Sequence, residues 1–312
     1  MKTFLKMLLA TIVGGFLLLF ILFIVLAGIA SMAEPKIVVK DNSILRLDIN
    51  SVIHDRADNN PLASFDPFTG ASEQPLGLNE ILASLKSAKD DPKIIGVYLD
   101  GGIPLTGNAT LKEIRDGLLD FRQSGKFVYH YSEILTQKGY YLASAADSVL
   151  LNPEGFFEWK GLSASITYLK EAMDKLGLKP EVLRATGNKF KSAVEPYIRQ
   201  DMSEENRMQL SALLNSVWSD YTSDISASRN LSTEKLDQMA NEHAIIDPKP
   251  AAENGLIHAT VYEDEIMRVL MDKSGTDKVE DIPFIGIHAY AQSANLSNDA
   301  GYNADRIAVV IA

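Results

Sequence analysis

The chain has 312 residues, with 30 Lys+Arg against 41 Asp+Glu and a formal net charge of −11. Binding to nucleic acid needs a basic footprint, so no nucleic-acid partner is expected. Apolar residues make up 46%, which excludes a disordered chain, and the absence of cysteine excludes zinc ribbons, iron–sulfur clusters, disulfide scaffolds and thiol nucleophiles.

The N-terminus comes first. Met7 to Ala33 is a run of 27 residues without a charge. As a helix it reaches about 40 Å, more than the ~30 Å hydrocarbon layer of a bilayer. Lys2, Lys6 and the amino terminus flank it on one side, while Glu34, Lys36, Lys40 and Asp41 on the other net to zero. The positive-inside rule keeps residues 1–6 cytoplasmic and sends the body across the membrane. A cleaved signal peptide ending at Ser31-Met32-Ala33 is the alternative, although such apolar cores usually run ~7–15 residues.

After Pro35, Ile37-Val38-Val39 and Ser43–Ile49 read as strand, and the polar, proline-containing stretch 54–77 reads as a loop. Leu78, Ile81, Leu82, Leu85 and Ala88 form a helical stripe, and Ile94–Leu99 is a short buried strand. Thr110 and Glu113 suggest a capping box for a helix carrying Leu111, Ile114, Leu118 and Phe121. Phe127–Tyr131 is the next strand, a helix spans about 137–146, and Ser148–Leu151 is a strand that Asn152-Pro153-Glu154-Gly155 follows. This alternation predicts a parallel sheet with helices packed outside. Farther on, Tyr168–Leu176 reads as helix and Glu181–Arg184 as strand. A long helix over 203–228 presents Leu210, Leu213, Leu214, Val217, Trp218, Tyr221 and Ile225 on one face expected to be buried. Helices near 232–240 and 263–273 follow. A Ser/Asn/Gly-rich connector, 291–304, leads to Arg306–Ala312, which reads as a fresh strand opening a further domain.

Few motifs for chemistry are present. There is no His-Glu-x-x-His, no phosphate-binding Walker loop, no Gly-x-Gly-x-x-Gly and no Gly-x-Ser-x-Gly. His54, His130, His243, His258 and His288 stand singly, as surface or satisfied core histidines do. Gly101-Gly102 follows a strand end, so it is either a plain turn or a pair of backbone donors suited to an oxyanion. The segment Gly187–Arg199 mixes basic and apolar residues between a strand and a long helix. A lysine desolvated there beside Arg184 and Lys189 can lose its proton and act as a general base on a serine. A solvated basic loop explains the same residues.

At this segment the chain resembles the signal peptide peptidase A (protease IV) family of bacterial Ser-Lys serine proteases, in its long, two-repeat form. Lys191-Ser192-Ala193-Val194-Glu195-Pro196 and Arg199-Gln200-Asp201-Met202-Ser203 match the family's lysine motif. Tyr140–Asp147 and Asn152–Gly155 fit as well, and the likeness extends over essentially the whole chain. It implies an α/β, crotonase-like spiral of ββα units behind one transmembrane helix. The organisation it implies is a tail (1–6), an anchor (7–33), a first repeat (34–290), a linker (291–305) and the start of a second repeat (306–312). It makes Lys191 the general base of a membrane-anchored endopeptidase that degrades cleaved signal peptides, with no cofactor and no metal. The serine is expected beyond Ala312, so this portion alone is expected to be inactive. Gly101-Gly102 falls where the first repeat keeps a degenerate copy of the glycine turn, and the nucleophile's counterpart falls near Lys138. The resemblance further implies a homo-oligomer, peptide substrates and a bacterial inner-membrane site with the body periplasmic. A non-catalytic binding or assembly module of the same fold is the alternative. An acyl-CoA hydratase or isomerase, which shares the fold, sits poorly with an exported body.

Overall fold

The computed structural model describes residues 2–32, 37–56, 76–183, 187, 189–242 and 245–294. It divides into two units, Met1–Val38 and Val39–Ala312. The first is helix α1, Lys2–Met32. Its Lys6–Ile24 stretch is long and apolar enough to cross a membrane, and none of it is buried. The helix runs unbroken through Gly14-Gly15, where surrounding apolar residues of good helix propensity outweigh two glycines.

In the second unit, six strands form one wholly parallel sheet, in the order β7-β6-β5-β4-β1-β8. The strands are β1 (Ser43–Asp48), β4 (Ile94–Asp100), β5 (Phe127–Leu135), β6 (Ser148–Phe157), β7 (Ala259–Thr260) and β8 (Phe284–Gly286). The short β2 (Ile53–His54) and β3 (Leu76–Gly77) pair separately, also in parallel. The α/β class and parallel sheet expected from the alternating pattern are what the chain adopts. Central strand β4 is apolar on both faces because both are covered: Ile94, Val97, Tyr98 and Leu99 are at most 1% exposed. Beyond the sheet, α2 (Leu78–Asp90) packs on α3 (Asn108–Arg122), burying Ile81, Leu85, Ile114 and Leu118. Another buried group joins Ile44, Tyr98 and Tyr131 of the sheet to Ile266 and Leu270 of α10 (Glu263–Ser274). Each such side chain contributes about 1.5–3 kcal/mol on burial.

Other helices are α4 (Gln137–Ala143), α5 (Lys170–Lys175), α6 (Glu195–Ile198), α7 (Glu204–Arg229), α8 (Thr233–Glu242), α9 (Pro248–Glu253) and α11 (Ile287–Ser293). Several expectations need correction. Ile37–Val39 forms no strand, and neither does Glu181–Leu183, because no neighbouring strand accepts their backbone groups. Arg184 lies outside the described residues. Thr110 does not cap α3: extended Gly107 precedes the helix and Thr110 is already inside its first turn. Asn152–Gly155 lies within β6 rather than after it, as an irregularity between Leu151 and Phe156, which pair with Ser132 and Ile134 of β5. Ala291–Ser293 of the expected connector is helical, and 295–312 lies outside the described residues, as does most of the 54–77 loop.

The apolar face of α7 is buried only near its end. Tyr221 and Ile225 are 4% and 0% exposed, whereas Leu213 is 59% exposed and Leu210, Leu214, Val217 and Trp218 are half-buried. The helix overruns the layer beneath it. Trp218 is held by Trp159, its ring centroid 4.8 Å away, and by donating Nε1–H to Asp237 at 2.6 Å.

Candidate functional site

The carboxyl ends of β1, β4 and β5 meet at the Gly101-Gly102 turn. Gly101 has φ +89°, in the region that favours glycine, and a Cβ there would collide with the Asn50 side chain. A Cβ on Gly102 would run into the Ile134 carbonyl, and Gly139 of α4 packs its backbone against Gly102 in the same way. The Gly102 carbonyl accepts from the Thr136 N–H and hydroxyl, at 3.1 and 2.9 Å.

The turn's donors converge, as an oxyanion hole would need. The N–H groups of Gly102 and Ile103 both donate to Asn50 Oδ1, at 3.0 and 2.9 Å. The chain thus supplies its own oxygen to these donors, and the turn closes on itself. Beneath it His130 is fully buried, with Nε2 2.8 Å from the Gly101 carbonyl. Burial pushes its imidazole down to about 4, so the ring is neutral and tethers the turn. His258 accepts the Val149 N–H at Nδ1, and His288 pairs with Glu80 at 2.8 Å. His258 and His288 are thus partnered, whereas the buried Nδ1 of His130 has no hydrogen-bond partner; His54 is exposed, and His243 lies outside the described residues.

Lys138, in the first turn of α4, is half-buried and donates to the Thr106 carbonyl. Burial lowers its pKa. It lines a cavity of about 580 Å³ with His54, Asp55 and Thr110. The hydroxyl at that helix start, on Thr136, is engaged in the turn: it donates to the Gly102 carbonyl and accepts the Gly139 N–H at 3.1 Å.

Lys191 lies before α6 and is exposed. The desolvation expected around it is not provided by this unit's described residues. What the fold does fix is the segment just after it. Glu195 is 3% exposed, and its carboxylate accepts from the Ser203 hydroxyl, the Ser203 N–H at 3.2 Å and the Asn206 amide at 3.1 Å. Burial alone would raise this carboxyl; these hydrogen bonds outweigh it and hold it below its usual range. Ser203 in turn caps α7 by accepting the Asn206 N–H. Pro196 accepts the Leu169 N–H at 2.7 Å. The lysine segment is thereby stapled to the start of α7 and to the approach to α5. Asn50 and Glu195 were not singled out in the sequence. For Glu195 a signal existed, a Glu eight residues before a helix-capping Ser; for Asn50 nothing local marks it.

Among the described residues, no group of three or more His, Cys, Asp or Glu is placed to hold a metal ion.

A model of peptidase family S49 matches residues 120–277, just over half of the chain. Protease 4 of Salmonella typhi is 32% identical, over 94% of this chain and 49% of that protein. Protease 4 of Haemophilus influenzae is 32% identical, over 62% of this chain and 32% of its own length. The Arabidopsis thaliana protein named "Serine protease SPPA, chloroplastic" is 29% identical, over 75% of this chain and 34% of its own. The chain spans between about a third and a half of the length of these relatives.

Proposed function

The chain belongs to peptidase family S49, and from that premise we propose that it is the lysine-bearing portion of a membrane-anchored serine endopeptidase that degrades cleaved signal peptides. The observation that carries this reading is the family match over 120–277, which contains the whole Lys191 segment. Lys191 is the general base: its amine takes the proton of a serine hydroxyl as that oxygen attacks the peptide carbonyl, then returns it to the leaving amine. The serine and its oxyanion donors come from a second repeat, and that repeat or a neighbouring copy covers Lys191 and excludes water from it. The self-closed turn at Asn50 supports this division, because its own donor pair, the N–H groups of Gly102 and Ile103, is already taken. The α1 helix anchors the protein in the bacterial inner membrane, with the body periplasmic. Copies assemble into a homo-oligomer.

The test is peptide cleavage by the protein carrying both repeats. Lys191→Ala should abolish turnover. Lys191→Arg should do so too, since a guanidinium stays protonated. Lys189→Ala, two residues away, should retain most activity, and this 312-residue chain alone should have none. Turnover by either Lys191 variant, or by the chain alone, would overturn the assignment. A non-catalytic binding module is the second reading, favoured by the exposed Lys191 and the filled turn; an absent serine in the partner repeat would select it.

A further inference from the structure

Between the buried Trp159 and the buried Ser203, Glu195 alone among the described residues is buried. The apolar side chains of this stretch do not hold it in place: Leu169, Leu176, Leu178, Phe190 and Tyr197 are 43% to 73% exposed. Apolar burial, the usual means of fixing a segment, is thus missing around Lys191 within the described residues. A carboxylate takes that part. The Glu195 N–H donates to the Ser192 carbonyl at 2.9 Å, so the turn directly after Lys191 closes on Glu195. Its side chain then reaches Ser203 and Asn206 at the start of α7. All three groups facing the carboxylate are donors, and two ionised oxygens match them; a glutamine amide would turn an N–H towards a donor. No cation pairs with Glu195 among the described residues, and Arg199 pairs with Asp201 at 3.3 Å instead. The far end of α7 is itself fixed to the layer beneath. There the buried Arg115 of α3 donates to the Asp224 carbonyl at 2.6 Å, and the Tyr141 hydroxyl of α4 donates to the Asp224 carboxylate at 2.6 Å. The path from Lys191 to the sheet layer therefore runs through Glu195, Ser203 and α7.

We infer that Glu195 is a positioning residue for the reaction: by holding Ser203 and Asn206 it fixes where the Lys191 backbone stands, and with it where the amine meets the serine hydroxyl. The inference rests on the peptidase reading above. Glu195 acts through Lys191 and takes no part in the proton transfer itself. Its effect belongs to the chemical step, because a catalytic group misplaced by about 1 Å can lose on the order of 10²-fold in rate. Substrate binding, which Glu195 does not touch in this reading, should be left alone.

Steady-state peptide cleavage is measured on the protein carrying both repeats, well below its melting temperature, with circular dichroism melts on every variant. Glu195→Gln, nearly the same in shape, should lower kcat about 10- to 100-fold and leave KM within about twofold. Ser203→Ala should lower kcat in the same way, and Ser203→Thr, which keeps the hydroxyl, should restore it. Glu195→Gln combined with Ser203→Ala should cost less than the product of the two separate losses, because both break one link. Ile81→Ala is the control for stability alone. That side chain is fully buried on α2, away from this path, so its loss should lower the melting temperature while kcat stays within about twofold. An undiminished kcat in Glu195→Gln or in Ser203→Ala, or an equal fall in Ile81→Ala, overturns the positioning role. Those results leave Lys191 as the base so long as Lys191→Ala is inactive. Turnover by Lys191→Ala would instead remove the peptidase reading, and this inference with it.

Discussion

Glu195 shows how one buried carboxylate organises the segment that carries Lys191. Three donors from Ser203 and Asn206 meet it, and one of those groups, the Ser203 hydroxyl, also caps α7. Glu195→Ala would strand these donors and should cost about 2–3 kcal/mol, read by urea denaturation. The pH dependence has a definite sign. The folded carboxyl titrates below its ordinary value of 4.5, so its stabilisation is complete above pH 4.5 and is lost as pH falls through the folded value. Wild type should therefore lose more stability than Glu195→Gln between pH 6 and pH 3. Equal losses would show that the charge of Glu195 contributes nothing. Asn50 belongs to the same scale but was illegible. It reaches Gly102 only because β1 and β4 pair in parallel with Asp48 opposite Asp100, which carries residue 50 alongside residue 102. A contact set by register between distant strands leaves no trace in local pattern.

At the scale of elements, α7 separates what periodicity reveals from what it hides. The apolar stripe identified the helix almost to the residue, Glu204–Arg229 against an expected 203–228. It did not reveal where the layer beneath stops. Ile225→Ala should cost about 2–5 kcal/mol, since that side chain is fully buried. Leu213→Ala should change the stability of the single chain by no more than about 0.5 kcal/mol. If copies assemble over this end of the helix, Leu213→Ala should instead shift the sedimentation of the complete protein towards smaller species. The central strands were legible because a doubly covered strand is a plain apolar run. Edge strands β7 and β8, two and three residues long, are too short to carry a period. Glu181–Leu183 had strand composition but no neighbour to pair with.

For the whole molecule, the sequence spoke most clearly about the apolar helix α1, because a bilayer sets one length that an apolar run either meets or misses. External protease added after outer-membrane permeabilisation should digest the body, as expected from Lys2 and Lys6 on the cytoplasmic flank. A body protected while a periplasmic control is degraded would reverse the orientation. One packing feature reaches further than its stabilising role. The chain contains two tryptophans, and they lie against each other: Trp159 at the end of the sheet, its Nε1–H on the Leu236 carbonyl at 3.0 Å, and Trp218 on α7. All of the chain's indole emission therefore originates at one junction. The molecule carries a built-in optical gauge of whether α7 is seated, readable in the unlabelled protein as peptide, partner repeat or membrane is added.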